Sequence, residues 1–203
     1  MNDRGALGRI DEVVDGAFEP LRGKAPVDRG AAAFSNLSDY GLVWVLLGLV
    51  KMRRRGPGRR RAFLALGAAG FSSLFVSRLV KRTVDRERPE DHLDASVRSP
   101  TSSSFPSGHT LAAFTTAFVL AESEAGTAAS VGFAGAVAAS RVHLRAHHPT
   151  DVMGGAVIGS VLGMALRPVV NAITPGTAGR RRARGRPGRG AGMGGSDHVL
   201  KRL

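Results

Sequence analysis

Residues 140–151 read SRVHLRAHHPTD and separate two apolar segments that are rich in alanine and glycine. This short stretch contains Arg141, His147 and Asp151. Because Pro149 disfavours a helical conformation in the residue before it, the stretch predicts a turn between two helices. In such a turn an arginine can hold an anion, an imidazole can attack it, and a carboxylate can fix which ring nitrogen attacks. We therefore predict a reactive site at this junction.

Five apolar segments have lengths close to the roughly 17–25 residues that a helix needs to cross a bilayer. They cover residues 31–50, 62–80, 105–121, 126–141 and 151–167. We therefore predict an all-α membrane bundle of about five transmembrane helices. Several segments are near the lower length limit, so the buried helices of a soluble bundle are the alternative interpretation.

The N-terminal residues 6–23 place apolar side chains at helical spacing and charged side chains on the opposite face. They predict an amphipathic helix that either packs on the bundle or lies in the membrane interface. The chain then divides into an amphipathic segment at 1–30, a membrane domain at 31–173 and a basic tail at 174–203. The tail is rich in glycine and arginine, lacks periodicity and is predicted to be disordered.

The charge of the chain is strongly positive, with 29 Lys and Arg against 16 Asp and Glu, a formal charge of +13. Much of the excess lies in two blocks, 51–61 and 180–189. With five spans, both blocks fall on one side of the membrane, which the positive-inside rule assigns to the cytoplasm. The connections 81–104 and 141–150 then meet at the extracytoplasmic face. We therefore predict a multi-pass protein of the plasma membrane whose active site is extracytoplasmic. Separately, the chain contains no cysteine, so disulfides and thiolate metal sites are excluded.

Glycine recurs at four-residue steps in the last apolar segment, as Gly155, Gly159 and Gly163. Small residues at this spacing let two helix backbones approach closely inside a membrane. We interpret the three glycines as a ridge for helix packing rather than as a ligand site.

Residues 81–89, KRTVDRERP, place Lys81 and Arg88 on a connection predicted at the same face as the 140–151 turn. Basic residues at the end of a span are more often anchors for lipid headgroups than parts of a site. If they lie beside Arg141, however, they complete a set of three cations around one anion.

Residues 105–109, FPSGH, begin the third apolar segment and predict the start of a helix. Ser107 can cap this helix, and Gly108 lets an anion approach the backbone N–H groups of the first turn. His109 stands in that turn, where a lone histidine is more often structural. The segment predicts an anion site at a helix N-terminus.

The remaining histidines of the turn serve as a comparison for His147. His143 and His148 have no carboxylate placed as Asp151 is placed, and we predict that both are peripheral. A metal site formed by His147, His148 and Asp151 is an alternative, but it lacks further ligands at a suitable spacing. We therefore predict no metal.

In chain order the three stretches read Lys-x6-Arg-Pro, Pro-Ser-Gly-His and Ser-Arg-x5-His-x3-Asp. This combination resembles the motifs of the type 2 phosphatidic acid phosphatase (PAP2) superfamily over about residues 31–170. The matching residues are Lys81, Arg88, Pro89, Pro106, Ser107, Gly108, His109, Ser140, Arg141, His147 and Asp151. Membrane members of that family typically have about six spans, so the resemblance implies that the amphipathic helix replaces the first one.

The resemblance implies hydrolysis of a membrane lipid phosphate without a metal or cofactor. The implied phosphate ligands are Lys81, Arg88, Ser107, Gly108 and Arg141. His147 would attack phosphorus, Asp151 would fix its tautomer, and His109 would protonate the leaving oxygen. The implied substrates are polyprenyl or glycerolipid phosphates, including a polyprenyl-phosphoryl phosphoribose that loses its 5-phosphate during cell-wall synthesis.

Two further interpretations belong to other classes. Vanadate-dependent haloperoxidases share the anion cage, although they are soluble and larger. The basic tail could instead make the chain a membrane tether or a nucleic-acid binder. We expect a lipid phosphate and membrane lipids as partners, and no nucleic acid.

Overall fold

The computed structural model describes residues 5–38, 57–89 and 102–174, and these residues form helices and no strand. The six helices are α1 (Ala6–Phe18), α2 (Ala25–Ser38), α3 (Pro57–Phe71, continued through the π-helical Ser72–Val76 into Ser77–Lys81), α4 (Gly108–Leu120), α5 (Glu124–His143) and α6 (Pro149–Ile173). The predicted all-α class is confirmed.

Two of the described helices, Gly58–Lys81 and Pro149–Ile173, are long and apolar enough to cross a membrane. The third predicted span corresponds to α4, a shorter apolar helix, and the fourth corresponds to α5. Most of the first predicted span, residues 31–50, lies outside the described residues. The count of five transmembrane helices therefore stays a prediction.

The predicted N-terminal helix is present as α1, which ends in the single 3-10 turn Glu19–Leu21. The next helix, α2, begins at Ala25, so the domain boundary predicted at residues 30 and 31 falls inside a helix. The proposed tail lies outside the described residues from position 175 onward. Its predicted disorder is therefore not tested.

Helix α4 is the centre of the bundle and packs against α3, α5 and α6. Small side chains make this possible, because Ala113 and Ala117 of α4 are fully buried against Ala134 and Val137 of α5. Short side chains on both helices bring the backbones together and leave little apolar surface uncovered. The start of α4 is therefore held firmly at one end of the bundle.

The closest packing in the described bundle joins α4 and α6, and the predicted glycine ridge forms this contact. A Cβ atom added to any of the three glycines would lie between 2.5 and 2.8 Å from a backbone oxygen of α4 or the residue before it. The pairs are Gly155 with Ser107 O, Gly159 with Leu111 O, and Gly163 with Thr115 O. The packing interpretation of the ridge is confirmed.

Near the start of α3, Arg61 is buried, whereas the neighbouring Arg59 and Arg60 are exposed. Its Nε donates to Val119 O at 2.8 Å, and its Nη2 donates to Asn171 Oδ1 at 2.6 Å. These bonds satisfy a charge that would be costly to bury alone. Arg61 therefore ties α3 to the ends of α4 and α6.

Replacing Gly159 by alanine should lower the melting temperature of the purified protein in detergent. The added Cβ would lie 2.5 Å from Leu111 O and 3.0 Å from Phe114 Cβ, and overpacking of this kind typically costs about 1–3 kcal/mol. Gly132→Ala on α5 is the matched control, because nothing lies within 4 Å of its added Cβ. The control should melt at or above the wild-type temperature, and a Gly159→Ala protein that does the same would contradict the packing account.

Candidate active site

The three chemical stretches meet at one end of the bundle, where α3 ends and α4 and α6 begin. Three hydrogen bonds join them: Ser104 N to Arg86 O at 2.8 Å, Ser107 N to Asp151 O at 3.0 Å, and Arg88 Nη1 to Ala146 O at 2.9 Å. Segments far apart in the chain are thus held together partly by their own backbones. The arrangement fixes where their side chains can point.

His147 is the buried centre of this region, with only 3% of its surface exposed. Its Nε2 lies 3.3 Å from Arg88 Nη1, and its Nδ1 lies 3.7 Å from Asp151 Oδ2. An arginine has only donors, so the nitrogen that faces Arg88 must present its lone pair. The proton of the neutral ring is therefore on Nδ1, on the side of the carboxylate.

Burial lowers the pKa of His147 to about 3. The positive charges of Arg88 and Arg141 act in the same direction, whereas Asp151 opposes the shift. The ring is therefore neutral at physiological pH, and its Nε2 carries no proton there. The 3.7 Å separation from Asp151 is longer than a hydrogen bond, so the carboxylate acts on the ring mainly through its charge.

Asp151 is fully buried in the first turn of α6, and both of its carboxylate oxygens are engaged. Oδ2 accepts a hydrogen bond from His148 N at 2.9 Å, as part of a capping box. Oδ1 accepts one from Arg86 Nη1 at 2.6 Å. Arg86 was not among the predicted site residues. In the sequence Arg86 is one of several cations in the basic connection. Its partner Asp151 is 65 residues away, so the local pattern does not distinguish it.

Arg141 is buried in the last turn of α5, and its Nη1 donates to Ser35 Oγ on α2. Its carbonyl oxygen accepts hydrogen bonds from Ala146 N at 3.0 Å and from His147 N at 3.3 Å. Arg141 thus shapes the turn that carries the histidine. The contact with Ser35 was also missed, because nothing in the local sequence distinguishes that serine.

Lys81 ends α3, and its Nζ donates to Ser103 O at 2.6 Å. It lies close enough to Arg88 and Asp151 to interact with both electrostatically. The end of the apolar helix therefore brings the lysine to the same region as His147, as the sequence predicts.

The start of α4 contributes Ser107, Gly108 and His109. Ser107 occupies the N-cap position, but its side chain makes no cap bond; its Oγ accepts a hydrogen bond from Thr110 Oγ1 at 3.1 Å instead. Gly108 is the first helical residue, and a Cβ there would lie 3.3 Å from Ser77 Oγ on α3. His109 follows in the first turn and is half-buried.

Within the part of the chain that the structure describes, the buried Arg88 Nε, Ser104 Oγ and His147 Nδ1 have no hydrogen-bond partner. Buried polar atoms are nearly always paired, so an unpaired guanidinium nitrogen beside the buried His147 ring needs an explanation. An anion held between the cations would supply the missing acceptor.

The two comparison histidines have structural partners. His143 Nε2 lies 2.7 Å from Asp28 Oδ1 on α2, so the prediction that no carboxylate faces it as Asp151 faces His147 is wrong. The two residues are 115 positions apart in the chain, so no local sequence pattern indicates that they pair. His148 is the N-cap of α6. Within the described ranges, no three His, Cys, Asp or Glu residues come together in a way that could hold a metal ion.

Comparisons with known proteins identify the family of this chain. Residues 62–175 match the PAP2 superfamily. The decaprenylphosphoryl-5-phosphoribose phosphatase of Mycolicibacterium smegmatis is 35% identical over 71% of this chain and 80% of its own length. The protein of the same name from Mycobacterium tuberculosis is 33% identical over 92% of this chain and 100% of its own length.

Two solved structures share the fold. One is a transmembrane PAP2-type phosphatidylglycerolphosphate phosphatase from Bacillus subtilis, with a TM-score of 0.66 and 22% identity, covering 85% of this chain and 90% of that one. The other is LpxE from Aquifex aeolicus, with a TM-score of 0.63 and 25% identity, covering 81% and 96%. The motifs, the bundle and the relatives coincide, and the chain therefore belongs to the PAP2 superfamily.

Proposed function

We propose that this chain is a membrane lipid phosphatase that removes the 5-phosphate from a polyprenyl-phosphoryl phosphoribose through a phosphohistidine intermediate. The observation that carries the proposal is the setting of the His147 ring, which presents a lone pair to Arg88 and a proton to Asp151. The names of the mycobacterial relatives support this choice of substrate. The three cations account for the affinity for a phosphate.

The phosphate is held by three cations and two groups at the start of α4. The ligands are Lys81, Arg88, Arg141, the Ser107 hydroxyl and the Gly108 N–H. A phosphomonoester carries nearly two negative charges at neutral pH, which fixed cations in a partly buried site bind strongly. Charge on the non-bridging oxygens redistributes as phosphorus is attacked, so these groups stabilise the transition state more than the ground state.

The reaction then proceeds in two displacements. Nε2 of His147 attacks phosphorus in line with the leaving oxygen, and the P–N bond forms as the P–O bond breaks. Protonated His109 gives its proton to the leaving oxygen, and Asp151 stabilises the positive charge that develops on the His147 ring. His109 next takes a proton from water, which attacks phosphorus, breaks the P–N bond and releases inorganic phosphate.

The reaction is metal-independent in this proposal. Lys81, Arg88 and Arg141 supply the positive charge that a metal ion supplies in other phosphatases. The described residues also offer no carboxylate and histidine cluster for such an ion.

The site faces the extracytoplasmic side of the plasma membrane in a multi-pass chain. Arg61 lies near the start of α3 and Lys81 at its end. A helix of this length places the two about 30 Å apart, which is close to the thickness of the bilayer core. Because the basic block 51–61 is assigned to the cytoplasm by its charge, Lys81 and the site lie on the opposite side.

Purified protein should release inorganic phosphate from a polyprenyl-phosphoryl 5-phosphoribose faster than from phosphatidate or phosphatidylglycerol phosphate. His147→Ala should abolish release from every substrate, because no other group can form the intermediate. His148→Asn, which keeps an N-cap residue at the start of α6, should retain most of the activity. Wild-type rates in His147→Ala would refute the nucleophile, whereas a preference for a glycerolipid phosphate would refute only the substrate.

Activity should survive exhaustive treatment with EDTA, since the phosphate is held by fixed cations of the chain. The measurement compares phosphate release by the same preparation before treatment, after treatment and after return of Mg²⁺. A rate that falls to the background and recovers only with the metal would contradict metal independence while leaving the phosphatase activity intact.

A further inference from the structure

The one buried residue of the N-terminal helix α1 is an aspartate, Asp11. This is unexpected for a helix that has an apolar face. In α1, Asp11 is only 7% exposed, whereas Leu7 is 63% and Val13 is 75% exposed. Carboxylates are almost never buried unless they are paired, because losing water is costly for a charge. The orientation of α1 is therefore set by what Asp11 binds and not by its apolar side chains alone.

Asp11 binds the first turn of α6. Its Oδ1 accepts a hydrogen bond from Thr150 N at 2.8 Å, and its Oδ2 accepts one from Thr150 Oγ1 at 3.0 Å. Oδ2 also accepts a hydrogen bond from Arg86 Nη2. Thr150 immediately precedes Asp151, so α1 is anchored beside the residue that supports His147.

Arg86 bridges the two carboxylates. Its Nη1 donates to Asp151 Oδ1 at 2.6 Å and to Thr150 Oγ1 at 2.7 Å, while its Nη2 donates to Asp11. The guanidinium group is a planar, rigid fork, so fixing one nitrogen restricts the position of the other. The position of Asp11 therefore restricts the position of Asp151.

Arg86 differs from Arg88, a proposed phosphate ligand, in how many of its side-chain nitrogens already have a partner. Both of its terminal nitrogens are occupied by carboxylates, whereas the buried Nε of Arg88 has no partner among the described residues. Arg86 also turns Asp151 in a defined way: with Oδ1 engaged, Oδ2 is left facing His148 N and the His147 ring. A loss of Arg86 would leave a buried carboxylate oxygen unpaired, which favours rotation of the side chain.

We propose that Asp11 and Arg86 are positioning residues that hold Asp151 behind His147, so that the N-terminal helix completes the active site. This inference rests on the proposed function, since it assigns Asp151 and His147 to the reaction. Neither positioning residue touches the substrate. They act on the stabilisation of the charged His147 ring and not on the affinity for the phosphate.

Asp11→Asn should lower kcat for the lipid phosphate by about 10- to 100-fold, the factor that one charge-assisted hydrogen bond is worth. KM should stay within about a factor of two, because the phosphate ligands are unchanged. Asp15→Asn is the matched control. Asp15 lies on the same helix and pairs with Arg22, which binds Val142 O and His143 O and makes no contact with Arg86. Its replacement perturbs the docking of α1 without touching the bridge, so it should leave kcat closer to the wild-type value than Asp11→Asn does.

A double-variant cycle separates positioning from a general effect on the fold. In the Asp151→Asn background, Asp11→Asn should have no further effect on kcat, because the group through which it acts is already altered. Arg86→Lys keeps the charge but lacks the rigid planar fork that fixes the two carboxylates relative to each other, and it should reproduce the loss if Asp11→Asn does not fold. Melting temperatures in detergent identify any variant that fails to fold.

Three results would overturn the inference: wild-type kcat in Asp11→Asn and Arg86→Lys, a rise in KM with kcat unchanged, or losses that multiply in the Asp151→Asn background. His147→Ala is measured in parallel. If that variant keeps its activity, the proposed function itself fails; if it is inactive while Asp11→Asn and Arg86→Lys are fully active, only the positioning inference fails.

Discussion

The site depends on one buried imidazole held between opposite charges. Arg88 faces Nε2 of His147, and Asp151 lies on the side of Nδ1. Burial keeps the ring neutral, the arginine requires an unprotonated Nε2, and the carboxylate favours the proton on Nδ1. One arrangement thus sets the charge, the tautomer and the direction of the reactive lone pair.

The bundle is built so that this arrangement can form. The glycines of α6 let the backbone of α4 come close enough for Ser107 N to donate to Asp151 O, which joins the starts of the two helices. The same close approach brings the Pro-Ser-Gly-His segment beside the turn of His147. Packing of small residues in the apolar part of the bundle therefore fixes how these segments meet at its end.

The sequence predicted what depends on local pattern. Helices α1 and α3 to α6, the glycine ridge and the grouping of Lys81, Arg88 and His147 follow from periodicity, composition and motif order, whereas α2 at Ala25–Ser38 was not predicted as a separate helix. It could not predict contacts whose two partners are distant and individually ordinary, such as Asp11 with Arg86 or Asp28 with His143. It grouped Arg61 with the basic block 51–61 on the cytoplasmic side and could not predict that this side chain is buried, because hydrogen bonds to other helices leave no mark on composition.

The most direct test of the central claim is to trap the intermediate. Purified protein is mixed rapidly with a lipid phosphate, denatured at alkaline pH to preserve a phosphorus–nitrogen bond, and digested for mass spectrometry. We expect an acid-labile phosphate on the peptide that contains His147, localised to that ring by fragmentation. A phosphate carried by a different side chain would contradict the claim that His147 attacks phosphorus.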